Sequence, residues 1–385
     1  MVFEIFSSRT RSRQPTWLLA VALLLMPMTS GCEERAPSLT VERQMLVPAK
    51  GSPNAIARSA TGALIVAGGP GTAWSLEVGP DGRRLWTYEE PIDQKIKTPY
   101  QSEFHGAVPL ANGNVLLCGE TQSSSGGGLI VILDPDGRLV ERRSIQPNGD
   151  PKYFSSGFNA CMPWNGSILL LGRATDGTHG LSWFMRLDQE GRKTWEKLDS
   201  EIAASHAVDT AGDGLVLAEF VPDQGTRVVR VNNNFEIVAR RMIPSSAYAL
   251  LRSVDSRRNT VHLVIYTFDG RVRIFTLNEG LENQEEPQPI KPVGVNQGCG
   301  YVLSDGSLAL FGNVETGGIA TAAVAHFRRD KTMEGRVLEK PNSGAASYTV
   351  SDALPLSNAE FVAVQAQMSQ NPNEAGIVLS WVRFD

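Results

Sequence analysis

The apolar residues of this chain recur in a short template that repeats along most of its length. Each copy consists of a turn glycine, one residue, four apolar or small residues and a second glycine. The clearest copies are 62–68, 113–119, 166–172 and 306–312, and weaker copies start near Gly214, Asn259 and Asn358. Successive copies begin 45 to 53 residues apart, so the pattern divides the chain into seven units.

Each unit predicts four short strands in a fixed order. A strand such as 54–59 precedes the template, a third apolar segment ends in a turn of the type Asp-x-x-Gly, and a fourth strand follows. Trp86 and Trp195 each lie four residues beyond such a turn glycine. Four strands repeated at about 49 residues are typical of a β-propeller blade. The predicted fold class is therefore all-β, a single propeller of seven four-stranded blades.

The two ends of the chain predict how the ring closes. The seventh unit ends at Asp385 in its third strand, which leaves a fourth strand missing. The strand-like segment 39–46 lies before the first complete unit and can supply the missing strand, which would pair edges that are otherwise open. The propeller then spans 39–385. An eight-bladed ring, with a degenerate blade hidden in 277–292, is the alternative.

The first 31 residues predict an export signal rather than a part of the fold. Three arginines precede an apolar run, 17–28, that is too short to cross a bilayer as a permanent helix. The end of the run, Thr-Ser-Gly-Cys32, resembles the lipobox of bacterial lipoproteins. The resemblance implies a signal peptide over 1–31, a lipidated Cys32, a tether over 32–38 and, with Glu33, an outer-membrane location facing the periplasm. A secreted protein without the lipid is the alternative.

The repeats themselves resemble a known group of propellers. The pattern Gly-x-Ile-Val-x-Gly followed by Trp-x-x-x-Leu-Asp-x-x-Gly-x-x-x-Trp looks like the repeats of secreted bacterial β-propellers, including the quinoprotein-like (PQQ-like) repeat lipoproteins. One such group, the BamB-type lipoproteins, serves as a scaffold in outer-membrane protein assembly. Turn glycines and packing tryptophans carry the resemblance, so it implies the fold and leaves the partner open.

Charge and composition narrow the classes of partner. The chain has 36 Lys and Arg against 41 Asp and Glu, and removal of residues 1–31 leaves 33 against 40. An acidic surface without a basic cluster argues against nucleic acid as a partner. The composition also excludes a disordered chain and a multispan membrane protein. We expect a monomer that contacts the membrane through its N-terminal lipid.

Five polar residues of the predicted innermost strands form a candidate site at the mouth of the propeller channel. His105 and His206 each lie eight residues before the turn glycine of their unit, and Asn54 has the same register. Asn159 and Gln297 lie one residue away from that register. Innermost strands line the channel, so these side chains either bind a ligand or hydrogen-bond to one another and to water. No metal is expected, because these strands are expected to supply no carboxylate.

Motifs for catalysis or for a cofactor are not predicted. Cys118 and Cys161 either form one disulfide or remain buried thiols. Cys299 is expected to be a buried thiol. The glycine-rich segments 68–71 and 123–128 do not precede a helix, so they cannot cradle a phosphate group. The sequence contains no Gly-x-Ser-x-Gly, no His-Glu-x-x-His and no assembly of residues for a quinone cofactor. We therefore expect no enzyme and no cofactor.

The predicted function is that of a scaffold or adaptor. A membrane-anchored, non-catalytic propeller would bind another envelope or periplasmic protein through loops such as 89–102, 123–128 and 281–292. One alternative is the binding of a small molecule or glycan, or a weak hydrolase or lyase activity, at the channel mouth. Another is a periplasmic lipoprotein that neutralises a toxin.

Overall fold

The computed structural model describes residues 39–385 except 50, 70, 93–100, 122–125, 154, 179, 203–205, 210–213, 255–259, 268–271, 286, 291–295, 317–318, 331, 339–346 and 369–375. These residues form 28 β-strands, and their single helical segment is the 3₁₀ turn Pro147–Gly149. In this part of the chain no helix is long and apolar enough to span a bilayer. The prediction of an all-β chain is confirmed for the described residues.

Four antiparallel sheets follow the N-terminal strand, and each has its four strands in chain order from the innermost to the outermost. The N-terminal strand is β1 (Leu39–Pro48), and the first sheet consists of β2 (Ser52–Arg58), β3 (Leu64–Gly69), β4 (Trp74–Val78) and β5 (Arg84–Glu89). The second sheet consists of β6 (Ser102–Pro109), β7 (Val115–Thr121), β8 (Gly127–Leu133) and β9 (Leu139–Ile145). The third consists of β10 (Ser155–Trp164), β11 (Ser167–Thr175), β12 (Gly180–Leu187) and β13 (Lys193–Asp199), and the fourth of β14 (His206–Asp209), β15 (Leu215–Val221), β16 (Gly225–Val231) and β17 (Ile237–Ile243).

The fifth sheet has eight strands rather than four. Its members are β18 (Ala247–Ser253), β19 (Val261–Tyr266), β20 (Val272–Leu277), β21 (Gln288–Ile290), β22 (Asn296–Val302), β23 (Leu308–Thr316), β24 (Ile319–Phe327) and β25 (Met333–Val337). The innermost strands β18 and β22 pair in parallel, Arg252 with Tyr301 and Ser253 with Val302. The prediction of seven separate four-stranded blades, or of eight, is therefore wrong.

The close approach of β18 and β22 explains why two sequence units merge into one sheet. Gly300 lies on β22 beside β18, and a Cβ atom at this position would lie 2.4 Å from Cδ2 of Leu251. A side chain at residue 300 would displace the Leu251 side chain of β18. The apolar template shows where a unit begins, but it carries no information on whether two innermost strands come close enough to share hydrogen bonds.

The sixth sheet contains both ends of the described chain. It consists of β26 (Ser347–Pro355), β27 (Glu360–Met368) and β28 (Gly376–Phe384), followed by β1 as the outermost strand. β1 pairs antiparallel with β28 from Leu39 opposite Phe384 to Pro48 opposite Gly376. The prediction that an N-terminal strand completes the last unit is confirmed.

Apolar cores lie between neighbouring sheets and hold them in a ring. Phe158 and Trp183 of the third sheet stack with ring centroids 4.3 Å apart and pack against Leu116 of the second sheet. A similar cluster joins Val364 of the sixth sheet to Val66 of the first. Burial of these side chains is the main favourable contribution to the packing of the sheets.

The predicted Asp-x-x-Gly turns connect third and fourth strands. In the second sheet the Asp134 carboxylate accepts the backbone N–H of Arg138 at 2.8 Å, and Gly137 has a φ of +77°. In the fourth sheet Phe235 occupies the glycine position with a φ of +59°. The buried Phe235 ring packs against Trp195 with centroids 4.7 Å apart, and this burial offsets the strain of a left-handed backbone.

Candidate functional site

Three of the predicted channel-mouth residues, Asn54, His105 and Asn159, take equivalent places on the innermost strands. The strand register shifts across Asn54 on β2, across His105 on β6 and across Asn159 on β10. Each residue is therefore a β-bulge, a feature that turns a side chain away from the regular alternation. All three side chains are half-buried. Asn159, which the sequence placed one residue away from the register of Asn54 and His105, therefore has the same position on its strand as they have.

The other two predicted positions lie in different local settings. His206 pairs with Ala218 without a shift in register, so its backbone is not bulged like that of His105. Gln297 lies within the register shift of β22. The side chains of His206 and Gln297 are outside the described part of the structure. Ser351, which the sequence did not indicate, takes the bulge position on β26.

Glu103, His105 and Glu120 form a cluster that we call the mouth group. Glu103 and His105 lie two residues apart on β6, and Glu120 on β7 pairs directly with Glu103. One side-chain ligand atom from each residue lies within 4.8 Å of the other two, and all three residues are half-buried. The Asn54 amide donates hydrogen bonds to Oε1 of Glu103 at 2.6 Å and to the Phe104 carbonyl at 2.9 Å.

The expectation that these strands supply no carboxylate is wrong. Buried and half-buried residues alternate along β6, and Glu103 and His105 are both half-buried. Counting two residues back from His105 leads to Glu103, although the bulge at His105 interrupts the regular alternation, so the structure was needed to show the two side chains together. Glu120 could not be found in this way, because its place opposite Glu103 depends on the register of the hairpin.

A second polar cluster, which we call the inner group, consists of Arg252, Cys299, Tyr301 and Asp352. These residues come from the innermost strands β18, β22 and β26. Asp352 Oδ2 accepts the backbone N–H of Ile56 at 3.2 Å, and its Oδ1 accepts the N–H of residue 353 at 2.9 Å. The Tyr301 hydroxyl donates to the carbonyl of the same residue 353 at 2.5 Å. The inner group therefore links the sixth sheet to the fifth and to the first.

Burial and charge shift the pKa values of the inner group, in which Tyr301 is buried and Cys299 and Asp352 are half-buried. Burial raises the pKa of Asp352, against the lowering effect of the Arg252 charge. Burial also raises the pKa of Cys299 and of Tyr301. The negative charges of Tyr301, once it is ionised, and of Asp352 raise the pKa of Arg252, whose side chain is exposed. At neutral pH the arginine is cationic and the thiol is protonated, so Cys299 does not present a nucleophilic thiolate.

Cys118 and Cys161 are adjacent free thiols at the joint between the second and third sheets. Burial and a hydrogen bond with Cys161 raise the pKa of Cys118. A Cβ atom on Gly106 would lie 2.6 Å from the sulfur of Cys161 and 2.8 Å from that of Cys118. Because Gly106 has no side chain, the two sulfur atoms can occupy the space beside it.

A pocket of about 340 Å³ lies between the third and fourth sheets. Its charged lining residues are Arg173, Asp199, Glu219 and Arg227. Glu219 forms ion pairs with both arginines, with Arg173 at 3.4 Å. The pocket charges thus compensate one another. No pattern in the sequence indicates this place, because its residues come from separate strands.

Two predictions lie on residues that the structure does not describe. Cys32 and the tether precede the described chain, so lipidation stays a prediction. The loops 89–102, 123–128 and 281–292 contain 93–100, 123–125, and 286 with 291–292, respectively, which lie outside the described residues.

Comparison with known proteins supports the fold alone. No protein-family model and no curated protein matches the sequence. The match to the WD40 β-propeller domain of Doa1 covers 90% of this chain and 97% of that domain, with 10% sequence identity and a TM-score of 0.50. A protein of unknown function from Dyadobacter fermentans covers 91% of this chain and 100% of its own, with 10% identity and a TM-score of 0.47. The match to a europium-containing methanol dehydrogenase covers 91% of this chain and 94% of the dehydrogenase chain, with 10% sequence identity and a TM-score of 0.45.

The similarity to the WD40 domain of Doa1 and the ring of sheets define the class of protein as a β-propeller. The fold occurs in proteins with unrelated activities, so function has to be argued from the residues of this chain.

Proposed function

We propose that this chain is a non-catalytic, lipid-anchored β-propeller of the bacterial cell envelope that acts as a scaffold or adaptor by binding another protein. The proposal depends on a repeated apolar feature of its outer surface. Rigid rings of sheets offer broad surfaces for such binding, and their loops and edges vary without loss of the fold.

The feature is a row of equivalent bulge residues, Leu85, Val140, Thr194 and Val238, which we call the outer row. Each lies in the register shift of the outermost strand of its sheet, from the first sheet to the fourth. Leu85, Val140 and Val238 are 46%, 57% and 56% exposed. Bulges on edge strands hinder pairing with other chains. Three of the four bulges nevertheless present an apolar side chain to solvent at the same place in their sheets, and we infer that these side chains contact the partner.

The position of β1 supports anchoring close to the ring. β1 begins at Leu39 as the outermost strand of the sixth sheet. A lipid on Cys32 would leave six residues, 33–38, between the lipid and this strand. Six extended residues span at most about 20 Å, so the ring would stay near the membrane and near partners held in it.

Site-specific photo-crosslinking in intact envelopes tests the partner. A crosslinking side chain placed at Leu85, Val140 or Val238 of the full chain is expected to capture one and the same protein. Val337, which is 52% exposed on β25 outside the outer row, is the matched control and is expected to capture much less. Equal capture at residue 337, or no protein above background at any position, would overturn the proposal.

A separate variant tests the anchor. Cys32→Ser is expected to move the chain from the membrane fraction to the soluble fraction and to abolish labelling with a radioactive fatty acid. A Cys32→Ser chain that stays in the membrane would contradict lipid anchoring, and the crosslinking result would still decide the partner.

A further inference from the structure

The mouth group combines donor atoms that metal ions use. Glu103 and Glu120 offer carboxylate oxygens, and His105 offers an imidazole nitrogen, all within 4.8 Å of one another. Ligand atoms around a tetrahedral Zn²⁺ lie about 3.4 Å apart, and opposite ligands of an octahedral ion lie about 4.2 Å apart. Small rotations of the three side chains would bring their atoms to such distances.

The backbone holds these side chains together. Glu103 and Glu120 face each other across the β6–β7 ladder, where two like charges repel and destabilise the pair. The bulge at His105 lies next to this pair on β6. The arrangement therefore places two carboxylates and an imidazole within reach of one divalent cation.

Glycines of the two flanking sheets leave room for the carboxylate side chains. A Cβ atom on Gly69 of the first sheet would lie 2.6 Å from Cγ of Glu103. A Cβ atom on Gly157 of the third sheet would lie 2.5 Å from Cβ and 2.6 Å from Oε2 of Glu120. Larger residues at either position would displace the carboxylates. The space of the mouth group is thus shaped from both sides.

Asn54 orients one of the ligands. Its amide donates to Oε1 of Glu103 at 2.6 Å while it also donates to the backbone of β6 at residue 104. Such outer contacts fix the orientation of a metal ligand and contribute strongly to metal affinity.

We propose that Glu103, His105 and Glu120 bind a divalent transition-metal cation such as Zn²⁺ or Mn²⁺ at the channel mouth. Three protein ligands leave at least one coordination position for water or for a small anionic or carbonyl-containing ligand. The site is independent of the outer row, and its existence does not require the proposed protein partner.

Metal titration of the intact mature chain tests this site. After treatment with a chelator and gel filtration, calorimetry with Zn²⁺ and with Mn²⁺ is expected to show one equivalent bound. Co²⁺ is expected to give visible d–d absorption bands that report the nitrogen and oxygen ligands. A dissociation constant weaker than about 1 mM for all three ions, or a stoichiometry of zero by elemental analysis, would overturn the proposal.

Variants assign the site to its residues. Glu103→Gln, His105→Ala and Glu120→Gln are each expected to weaken binding more than about 100-fold, since changes in outer contacts alone weaken it 10–100-fold. Asn159→Ala, at the equivalent bulge of the third sheet, is the control for His105→Ala. Glu141→Gln, on the exposed outermost strand β9, is the control for the glutamates. Unchanged binding in the three ligand variants would place the metal elsewhere and overturn the proposal.

Asn54→Ala keeps the proposal testable if a ligand variant fails to fold. This change removes the amide that donates to Glu103 and to the Phe104 carbonyl and is expected to weaken Mn²⁺ binding about 10-fold. Far-UV circular dichroism checks that the sheets are intact. An Asn54→Ala chain with the affinity of the wild type would contradict the orienting role and, with it, the assignment of Glu103 as a ligand.

Discussion

The mouth group and the inner group both use polar side chains of the innermost strands, but they balance charge in different ways. Asp352 of the inner group accepts two backbone N–H groups and lies beside the cationic Arg252. Glu103 and Glu120 of the mouth group face each other across a strand pair. Backbone N–H groups and the Arg252 charge hold the Asp352 carboxylate in place, whereas the two glutamates and His105 bring three donor atoms together. The inner group is thus part of the framework, and the mouth group suits a ligand.

Removal of the inner carboxylate is expected to have the largest effect. Asp352→Ala leaves the Ile56 N–H without its acceptor and Arg252 without its counter-charge. The free energy of unfolding should fall by about 1–3 kcal/mol, as measured by urea denaturation. Asp330→Ala removes an aspartate from an exposed turn and serves as the control, with an expected loss below about 1 kcal/mol. Equal losses would show that the inner group is no framework element.

The raised pKa of Asp352 predicts a dependence of stability on pH. Its carboxyl pKa is higher in the folded state than the ordinary value of 3.8, so the folded state holds the proton more tightly. Stability relative to Asp352→Asn is therefore greatest below pH 4 and falls as the pH rises through the folded pKa. A tenfold difference in proton affinity between the folded and unfolded chains corresponds to a loss of about 1.4 kcal/mol. Urea unfolding of both chains between pH 4 and 8 measures it, and a difference that grows in the opposite direction would contradict the raised pKa.

Loss of the Tyr301 hydroxyl is expected to have an intermediate effect. Tyr301→Phe leaves the buried carbonyl of residue 353 without a donor, so the free energy of unfolding should fall by about 1–2 kcal/mol. The comparison is Tyr248→Phe, whose hydroxyl donates to the Ala218 carbonyl at a half-buried place that water can reach. A smaller loss is expected there. The reverse order would mean that the inner group is the better hydrated of the two.

A charge-removing change in the mouth group is expected to have the smallest effect and the opposite sign. In metal-free buffer Glu120→Gln removes a negative charge directly opposite Glu103. The free energy of unfolding should stay unchanged or rise by about 0.2–1 kcal/mol. A fall of several kcal/mol in urea denaturation would show that Glu120 is a framework residue, and the contrast between the two groups would fail.

The sequence predicted the features that repeat and missed those that depend on contact between units. The turn glycines defined the units, and counting back from them found Asn54 and His105. Asn159 came one residue off because the loop between β10 and β11 holds only residues 165–166, whereas 59–63 and 110–114 form the corresponding loops of the first two sheets. Loop length changes the count along the chain without changing the strand register.

Contacts across strands and sheets were beyond the reach of a single sequence. The pairing of Glu103 with Glu120 depends on hairpin register, and the inner group depends on three strands that are far apart along the chain. The merging of two units into the eight-stranded sheet depends on how closely β22 approaches β18 at Gly300. None of these distances is encoded by a local pattern of apolar residues.

The pairing of β1 with β28 also has a consequence for the order of folding. Leu39 lies opposite Phe384, so this ladder can form only after the chain through Phe384 has been synthesised. Closing a loop of this length costs about 5 kcal/mol of chain entropy, which the other sheets reduce when they form first. Ring closure is therefore expected to be the slow last step of folding. Until it occurs, β28 exposes an unpaired edge to which a second copy of the chain could add a strand.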